Sequence, residues 1–475
     1  MLIILSLLLF VAVIFWVAAK DRTQNEHAIL RNYPVIGHLR YIFEDLGKYF
    51  RQYWFTNDSE EQPFSRSVRS QVYRMSKDQP NVLSFGSSSE PKKEIFSPTM
   101  YPLESSEADV SSPITIGKDC EFPFTQKRLV AISGMSFGAL SANAITALSK
   151  GAALAGITMN TGEGGLPSRY HLSEEMINSK EGGLVLQIGT ANFGFRDSSG
   201  LIDYEKILEV RHQPYIKWIQ IKLSQGAKPG KGGILPANKV TPEIAELRGV
   251  EAGKVCISPS KNPECETPEK LLNTIKRIKT VTGKPVGIKL ALADVEELSK
   301  LIELAKKKDV DNQGPSYLPS VITVDGGDGG TGAAPAVFME SIALRVNEVL
   351  SQVHSMLIQQ NVRDKVSLVA SGKLVTAHDA GIAFSQGADW IESARGFMMS
   401  LGCINALECS TDKCSVGIAT QDPKRQMALD PESKKHRVHH FAKNLEKEIF
   451  DLSLACGVNH PRLLVNKKYI HVKSL

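Results

Sequence analysis

Three cysteines near one end of the chain, Cys403, Cys409 and Cys414, stand in the run LGCINALECSTDKCSVGIATQ with five and then four residues between them. Thiolates are soft donors, and three this close on a loop of small and polar residues can converge on one soft metal centre. The paired C-x2-C spacing usual in four-cysteine zinc sites is absent. Three ligands suit an iron–sulfur cluster short of one cysteine, such as a 3Fe-4S cube. The plainer alternative is three unrelated cysteines on a turn.

A second group is ionic. In IKLSQGAKPGK, Lys222 closes an apolar run and should point inward, and Lys228 follows six residues on, held by glycines and Pro229. Two ammonium groups at one place suit a dicarboxylate. Lys289 also interrupts an apolar run. Lysines are usually solvated, a reading that fits Lys231 better than Lys222 or Lys289. Glu163, in NTGEGG, is a carboxylate on a glycine hinge. It can position ammonia or relay a proton, or simply pair with a neighbour.

A third group suits phosphate. Ser371-Gly372-Lys373 and Ala394-Arg395-Gly396 offer backbone amides beside cations. The run GGDGGTG, Gly326 to Gly332, lets a flat ring or a polyol chain approach the backbone. Asp325 and Asp328 either bond hydroxyls of such a chain or hold a turn. No GxGxxG opens a helix after a first strand, so no nicotinamide-binding Rossmann site is visible.

Something must bring these groups together. Apolar, β-branched runs recur at Leu129–Met135, Ile157–Asn160, Leu184–Ile188, Trp218–Leu223, Val286–Leu290, Val321–Val324, Ser367–Ala370 and Trp390–Ala394. Helical patterns lie between most of them: Leu140–Ala155, Pro268–Val281, Asp294–Lys307, Val337–Gln359 and Ala377–Gln386. Strands alternating with helices in this number predict an α/β fold, a (β/α)8 barrel. The chemical groups sit at or just after strand ends, which in such a barrel form one face. A doubly wound sheet is the alternative, but it does not need eight units. His436–Cys456 reads as an amphipathic helix packed on the barrel.

The composition is that of an ordinary globular protein, and a net charge of +5 over 475 residues is too small to signal a nucleic-acid partner. Seven cysteines, an odd number in a large chain, do not resemble a secreted disulfide framework. Leu2–Ala19 is an unbroken apolar run of bilayer-spanning length with no basic segment before it. Lys20 and Arg22 follow at once, with Arg31, Arg40, Lys48 and Arg51 beyond. The positive-inside rule then predicts a single-pass anchor in the cell membrane with the bulk of the chain cytoplasmic. The expected organisation is a transmembrane anchor at 1–19, a neck at 20–110, the barrel with its cysteine loop at 111–430 and a helical segment at 431–475.

These groups together resemble the FMN-binding glutamate synthase family, the short relatives of the synthase domain of glutamate synthase. The matching pieces are SGMSFGALSANA (133–144), NTGEGG (160–165), IKLSQGAKPGKGG (221–233), GGDGGTGAAP (326–335) and GCINALECSTDKCSVGIATQDP (402–423). The resemblance implies a barrel carrying FMN and a 3Fe-4S cluster on Cys403, Cys409 and Cys414. It implies reductive amination of 2-oxoglutarate with ammonia, through 2-iminoglutarate, by reduced FMN. By position, Lys222, Gln225, Lys228 and Arg248 would hold 2-oxoglutarate, with Glu163 near the reacting carbon. Met135, Ser136, Lys289, Asp325, Gly329, Gly330, Gly332, Gly372, Lys373 and Arg395 would lie on the FMN.

The sequence departs from the family pattern where a substrate-contacting glutamine is replaced by Ile234, and where Asp325 and Gly327 replace a serine and a histidine or asparagine. Ile234 leaves a substrate carboxylate one donor short. No cysteine precedes Cys120, so glutamine hydrolysis in this chain is not expected. Ammonia would come from solution or a partner, and electrons from a separate ferredoxin or reductase subunit. Two rival readings remain: a flavin enzyme acting on another 2-oxo or 2-hydroxy acid, and a non-catalytic, membrane-tethered electron-transfer subunit. Glu163, Lys222 and Lys228 argue against the second, since electron transfer alone needs no substrate cradle.

Overall fold

The computed structural model describes residues 1–475 apart from 84–85, 87–91, 167–171, 173, 466–468 and 473–475. The side chains of Lys48 and Val472 also lie outside the described set. The chain divides into two compact units, residues 1–67 and 68–475. The first holds the long apolar helix α1 (Leu2–Thr23) and the shorter α2 (His38–Phe50), which runs on into a π-helical turn at Arg51–Phe55. A third helix, α3 (Arg66–Ser76), spans the boundary between the units.

The second unit is built on eight parallel strands: β1 (Val130–Ile132), β2 (Thr158–Asn160), β3 (Gly183–Ile188), β4 (Ile216–Lys222), β5 (Val286–Leu290), β6 (Val321–Asp325), β7 (Ser367–Ser371) and β8 (Trp390–Ser393). They close into a barrel, with Val130 opposite Ile391 and Ile132 opposite Ser393 at the seam. The expected (β/α)8 barrel is the fold. Helices cover the outside of the strands, so the strands are buried on both faces and read as apolar, β-branched runs. The principal helices of this unit after α3 are α4 (Ala142–Ala155), α5 (Tyr204–Glu209), α6 (Pro242–Arg248), α7 (Pro268–Thr282), α8 (Glu296–Asp309), α9 (Val346–Gln359), α10 (Ala377–Ser385), α11 (Arg395–Leu401) and α12 (Pro431–Ala455).

Local chemistry sets several boundaries. α6 and α7 each start on a threonine cap followed by proline and stop at a left-handed glycine, Gly249 or Gly283. The helix expected over Val337–Gln359 is instead two, Ala336–Ser341 and α9. The break has a physical cause: Ala343 is left-handed (φ 69°), and Leu344 gives its backbone to other partners. Leu344 O accepts from Gly327 N at 2.7 Å, and Leu344 N donates to Leu292 O at 2.9 Å. The glycine loop after β6 thus takes up bonds a continuous helix would use. α12 packs closely on α4, where a Cβ at Gly151 would lie 2.4 Å from Val438 Cβ.

The barrel interior is layered. Ala131, Val185, Trp218, Val321, Val369 and Trp390 form an apolar floor, and Ile116 and Phe124 of a short antiparallel pairing pack against it. Above it, polar side chains cross between strands: Asn160 Nδ2 and Gln187 Nε2 both donate to Gln220 Oε1 (2.8 and 2.7 Å), and Gln220 Nε2 donates to Thr323 Oγ1 at 3.0 Å. Every member is buried and partnered, which makes a stiff platform beneath the strand ends.

Candidate functional site

β4 ends at Lys222, whose Nζ lies 2.5 Å from Glu163 Oε2 and donates to Gln225 Oε1 at 3.0 Å. Glu163 lies in a cradle of glycines. A Cβ at Gly189 would come within 2.7 Å of Glu163 Cβ, and one at Gly233 within 2.4 Å of Glu163 Oε1. Lys228 is buried and donates to Ala333 O at 3.0 Å. Arg248, the last residue of α6, is buried too. Its Nη2 donates to Phe137 O at 3.0 Å and lies 3.5 Å from Ser136 Oγ, while its Nε has no partner among the described residues.

Burial works to raise the Glu163 pKa, but Lys222, Lys228 and Arg248 together outweigh it, so the carboxyl is held below its usual range. Burial pulls the Lys228 ammonium down, and Glu163 opposes this. Three cations therefore face one carboxylate, an excess that suits a dianionic ligand. The expected partners Glu163, Lys222, Gln225, Lys228 and Arg248 are drawn to one place by the ends of β2 and β4 and by α6. Ile234 is 48% exposed and pairs with Ile257 in a two-residue antiparallel contact. Its neighbour Gly233 is the residue that faces Glu163.

A second cluster lies around β5 to β8. Lys289 Nζ lies 3.2 Å from Ser133 Oγ and 3.5 Å from Asp325 Oδ1. Asp325 Oδ2 accepts from Gly226 N at 2.9 Å, so this carboxylate ties the loop after β4 to the end of β6. Burial works to raise Asp325, but Lys289, then Gly226 N and Ser371, hold it low. Arg395 Nη2 donates to Asp328 O at 2.9 Å, and a Cβ at Gly330 would press on the guanidinium. Asp328 Oδ1 is buried with no hydrogen-bond partner among the described residues, and burial raises that carboxyl despite Lys373, Arg395 and Arg345 around it. Cations gathered beside glycine backbone fit a phosphate. Gly372 (φ 120°) and Gly329 fit only without side chains, since a Cβ on either would lie 2.9 Å from Gly326. Met135 and Ser136 carry the turn after β1, where Gly162 packs on Ser136 N. These residues fit the phosphate and polyol chain of an FMN.

The cysteine loop stands beside this cluster. A Cβ at Gly332 would touch Cys409, at 3.7 Å from its carbonyl oxygen. Burial, with Cys409 and Cys414 adding, pushes the Cys403 thiol up to about 11, and Cys409 is raised by burial and by Cys414. The three thiols thus lie within one another's electrostatic reach. Among the described residues no three His, Cys, Asp or Glu side chains form a ready site for a single ion. A cluster spreads its thiolate ligands over several irons and does not require them to meet at one point, so the donor set fits that chemistry. Asn405, Leu407 and Asp412 are all left-handed, with φ 62°, 59° and 66°. Such backbone persists only where its surroundings hold it.

Those surroundings include residues that motif reading passes over. Lys239 is 1% exposed, and its ammonium donates to Ala419 O (2.7 Å), Cys409 O (2.8 Å) and Ala139 O (3.4 Å). On another side, Tyr73 of α3 donates to Cys403 O at 2.6 Å and Arg69 to Ile404 O at 3.3 Å. Glu392 on β8 is also unforeseen. It is 2% exposed, its Oε2 has no hydrogen-bond partner among the described residues, and burial pushes its carboxyl up to about 7. The available signal was a charged residue inside an otherwise apolar strand.

The fold and site define a class: a parallel α/β barrel whose strand-end face joins an anion cradle, a phosphate-suited cation cluster and a three-cysteine loop. Residues 64–459 match the family described as the conserved region in glutamate synthase, and the chain belongs to that family. It is 38% identical to the glutamate synthase large subunit-like protein YerD of Bacillus subtilis over 94% of this chain and 90% of that one. It is 32% identical to the archaeal glutamate synthase [NADPH] of Methanocaldococcus jannaschii over 70% of this chain, and spans only 59% of that longer protein. Among solved structures, a flavocytochrome b2 variant with benzoylformate superposes with a TM-score of 0.51 at 13% identity, covering 95% of this chain and 90% of that one. A lactate oxidase from Pediococcus acidilactici gives 0.50 at 12%, covering 86% and 87%. At such identity the likeness is one of fold alone.

Proposed function

We propose that the protein is an FMN- and iron–sulfur-dependent oxidoreductase that converts 2-oxoglutarate and ammonia to glutamate through 2-iminoglutarate. The observation that carries this reading is the convergence of Lys222, Lys228 and Arg248 on Glu163 at the barrel mouth. Lys228 and Arg248 hold the carboxylates of the oxo-acid, with Gln225 and Lys222 beside them. Glu163, kept ionised by these cations, accepts a proton from ammonium or from the amine adding to the carbonyl. Gly189 and Gly233 let the Glu163 side chain pack where a Cβ would collide with it, which fixes the carboxylate in place.

Lys289, Asp325, Lys373, Arg395 and the glycines at 329, 330, 332 and 372 would hold FMN, and Met135 and Ser136 would border it. Bound FMN would supply the hydride that reduces the imine carbon. Cys403, Cys409 and Cys414 would hold a 3Fe-4S cluster that passes electrons inward from a separate donor, a ferredoxin or reductase subunit. α1, whose apolar stretch is unburied, would anchor the enzyme in the cell membrane, with Lys20 and Arg22 keeping the barrel on the cytoplasmic side.

A second reading, another 2-oxo acid as substrate, is favoured only by Ile234. A screen of the chemically reduced protein against 2-oxo acids with ammonium decides between them. The proposal expects glutamate as the main product; preferential amination of a monocarboxylic oxo-acid would refute it.

A further inference from the structure

The unit formed by residues 1–67 contains an apolar face that its own structure leaves uncovered. On α2, Leu39, Ile42, Phe43, Leu46 and Phe50 fall at spacings of three and four, which places them in one stripe along the helix. Their exposures run from 37% for Phe50 to 65% for Phe43. The stripe continues into Trp54, 74% exposed. Arg40, Glu44 and Asp45 occupy the other side of the helix. Helices of soluble proteins turn such a stripe inward, because exposed apolar area costs roughly 25 cal/mol per Å2.

The neighbouring element indicates what covers the stripe. α1 ends at Thr23, and α2 begins only fifteen residues later, at His38. The elbow between them is built, not slack. Asp21, in the last turn of α1, is buried. It accepts from Val35 N at 2.8 Å, and His38 Nε2 lies 2.9 Å from its other oxygen. A Cβ at Gly37 would sit 2.7 Å from Tyr33 O, so the elbow is tightly packed. The unburied apolar stretch of α1 thus leads, through a buried last turn and a fixed corner, into a helix with one greasy face, one charged face and an aromatic end.

We propose that α2 and the following turn lie in the bilayer interface, with the stripe from Leu39 to Trp54 sunk among lipid headgroups and upper acyl chains. The ligand is the lipid surface itself. Helices with this division of faces seat about 5–10 Å into that boundary, and tryptophan and tyrosine favour it. The proposal rests on the reading that α1 crosses the membrane.

The four tryptophans make the test direct. Trp218 and Trp390 are at most 1% exposed inside the barrel, so brominated lipid should not reach them. Full-length Trp16→Phe protein is reconstituted into phosphatidylcholine–phosphatidylglycerol vesicles, leaving Trp54 as the reporter. Trp54→Phe leaves Trp16 as the reporter for α1. The expected result is Trp54 quenching roughly twofold stronger with lipids brominated near the headgroup end of the chain than with lipids brominated at its middle. If Trp16 is quenched and Trp54 is not, α1 is inserted but the stripe faces a protein, and the proposal is overturned. If neither is quenched, the anchor reading and this proposal fall together.

Discussion

Glu392 offers the sharpest test of the barrel interior. Burial pushes its carboxyl up to about 7 and Asp325 adds to this, while Lys289 and Ser133 pull the other way. Once unfolded, the side chain returns to 4.5. The folded state therefore binds this proton more tightly than the unfolded state. Its stabilising contribution is complete below pH 4.5, falls as pH rises toward 7, and is absent above. The gap between the two values corresponds to about 3 kcal/mol. Glu392→Gln keeps the shape and cannot ionise. Urea unfolding of the detergent-solubilised full chain, followed through buried Trp218 and Trp390, measures both proteins. Between about pH 4.5 and pH 8 the variant should gain about 3 kcal/mol over the wild type. A stability difference that does not change with pH would mean that Glu392 stays ionised in the fold, and would refute the reasoning.

Three further outcomes are expected. Cys409→Ser should lose the cluster's oxidised-state electron paramagnetic resonance signal after anaerobic purification, whereas Cys120→Ser should keep it; a retained signal in the first variant removes Cys409 from the ligand set. Lys239→Met leaves Cys409 O and Ala419 O without their buried donor, at about 1–3 kcal/mol each, so hydrogen exchange across residues 403–421 should quicken; unchanged protection would mean the loop is held by other contacts. Lys228→Ala should weaken 2-oxoglutarate binding, read by isothermal titration, far more than Ile234→Gln strengthens it. A single hydrogen bond to a charged group is worth about 1.5–3 kcal/mol, and the half-exposed setting of position 234 lowers the gain. The reverse order would point to a less polar oxo-acid.

The barrel was legible because strands covered on both faces read as apolar runs, and each of the eight expected runs contains or overlaps a barrel strand. The cradle was legible for a related reason: Lys222 closes β4, Lys228 lies six residues beyond it and Glu163 three beyond β2, so topology brings them to one mouth. The Asn160–Gln187–Gln220–Thr323 platform was not, because its partners come from strands far apart in sequence and no local pattern announces who will meet. Lys239 reads as one more lysine until the cysteine loop folds over it. The break before α9 was hidden because helical spacing runs straight through it, and only the bonds to Gly327 and Leu292 decide it. The stripe on α2 is plain in its spacing, but spacing alone does not name what covers a face.

The central claim is that one barrel mouth joins a reducible cofactor to a 2-oxoglutarate and ammonia site. Anaerobic stopped-flow absorbance of the reduced, cofactor-loaded protein mixed with 2-oxoglutarate and 15N-ammonium tests it most directly. The account predicts rapid return of the oxidised flavin spectrum with both substrates present, little with either alone, and 15N-labelled glutamate in the quench. A spectrum that stays reduced with both substrates, or reoxidises without labelled glutamate, would contradict it.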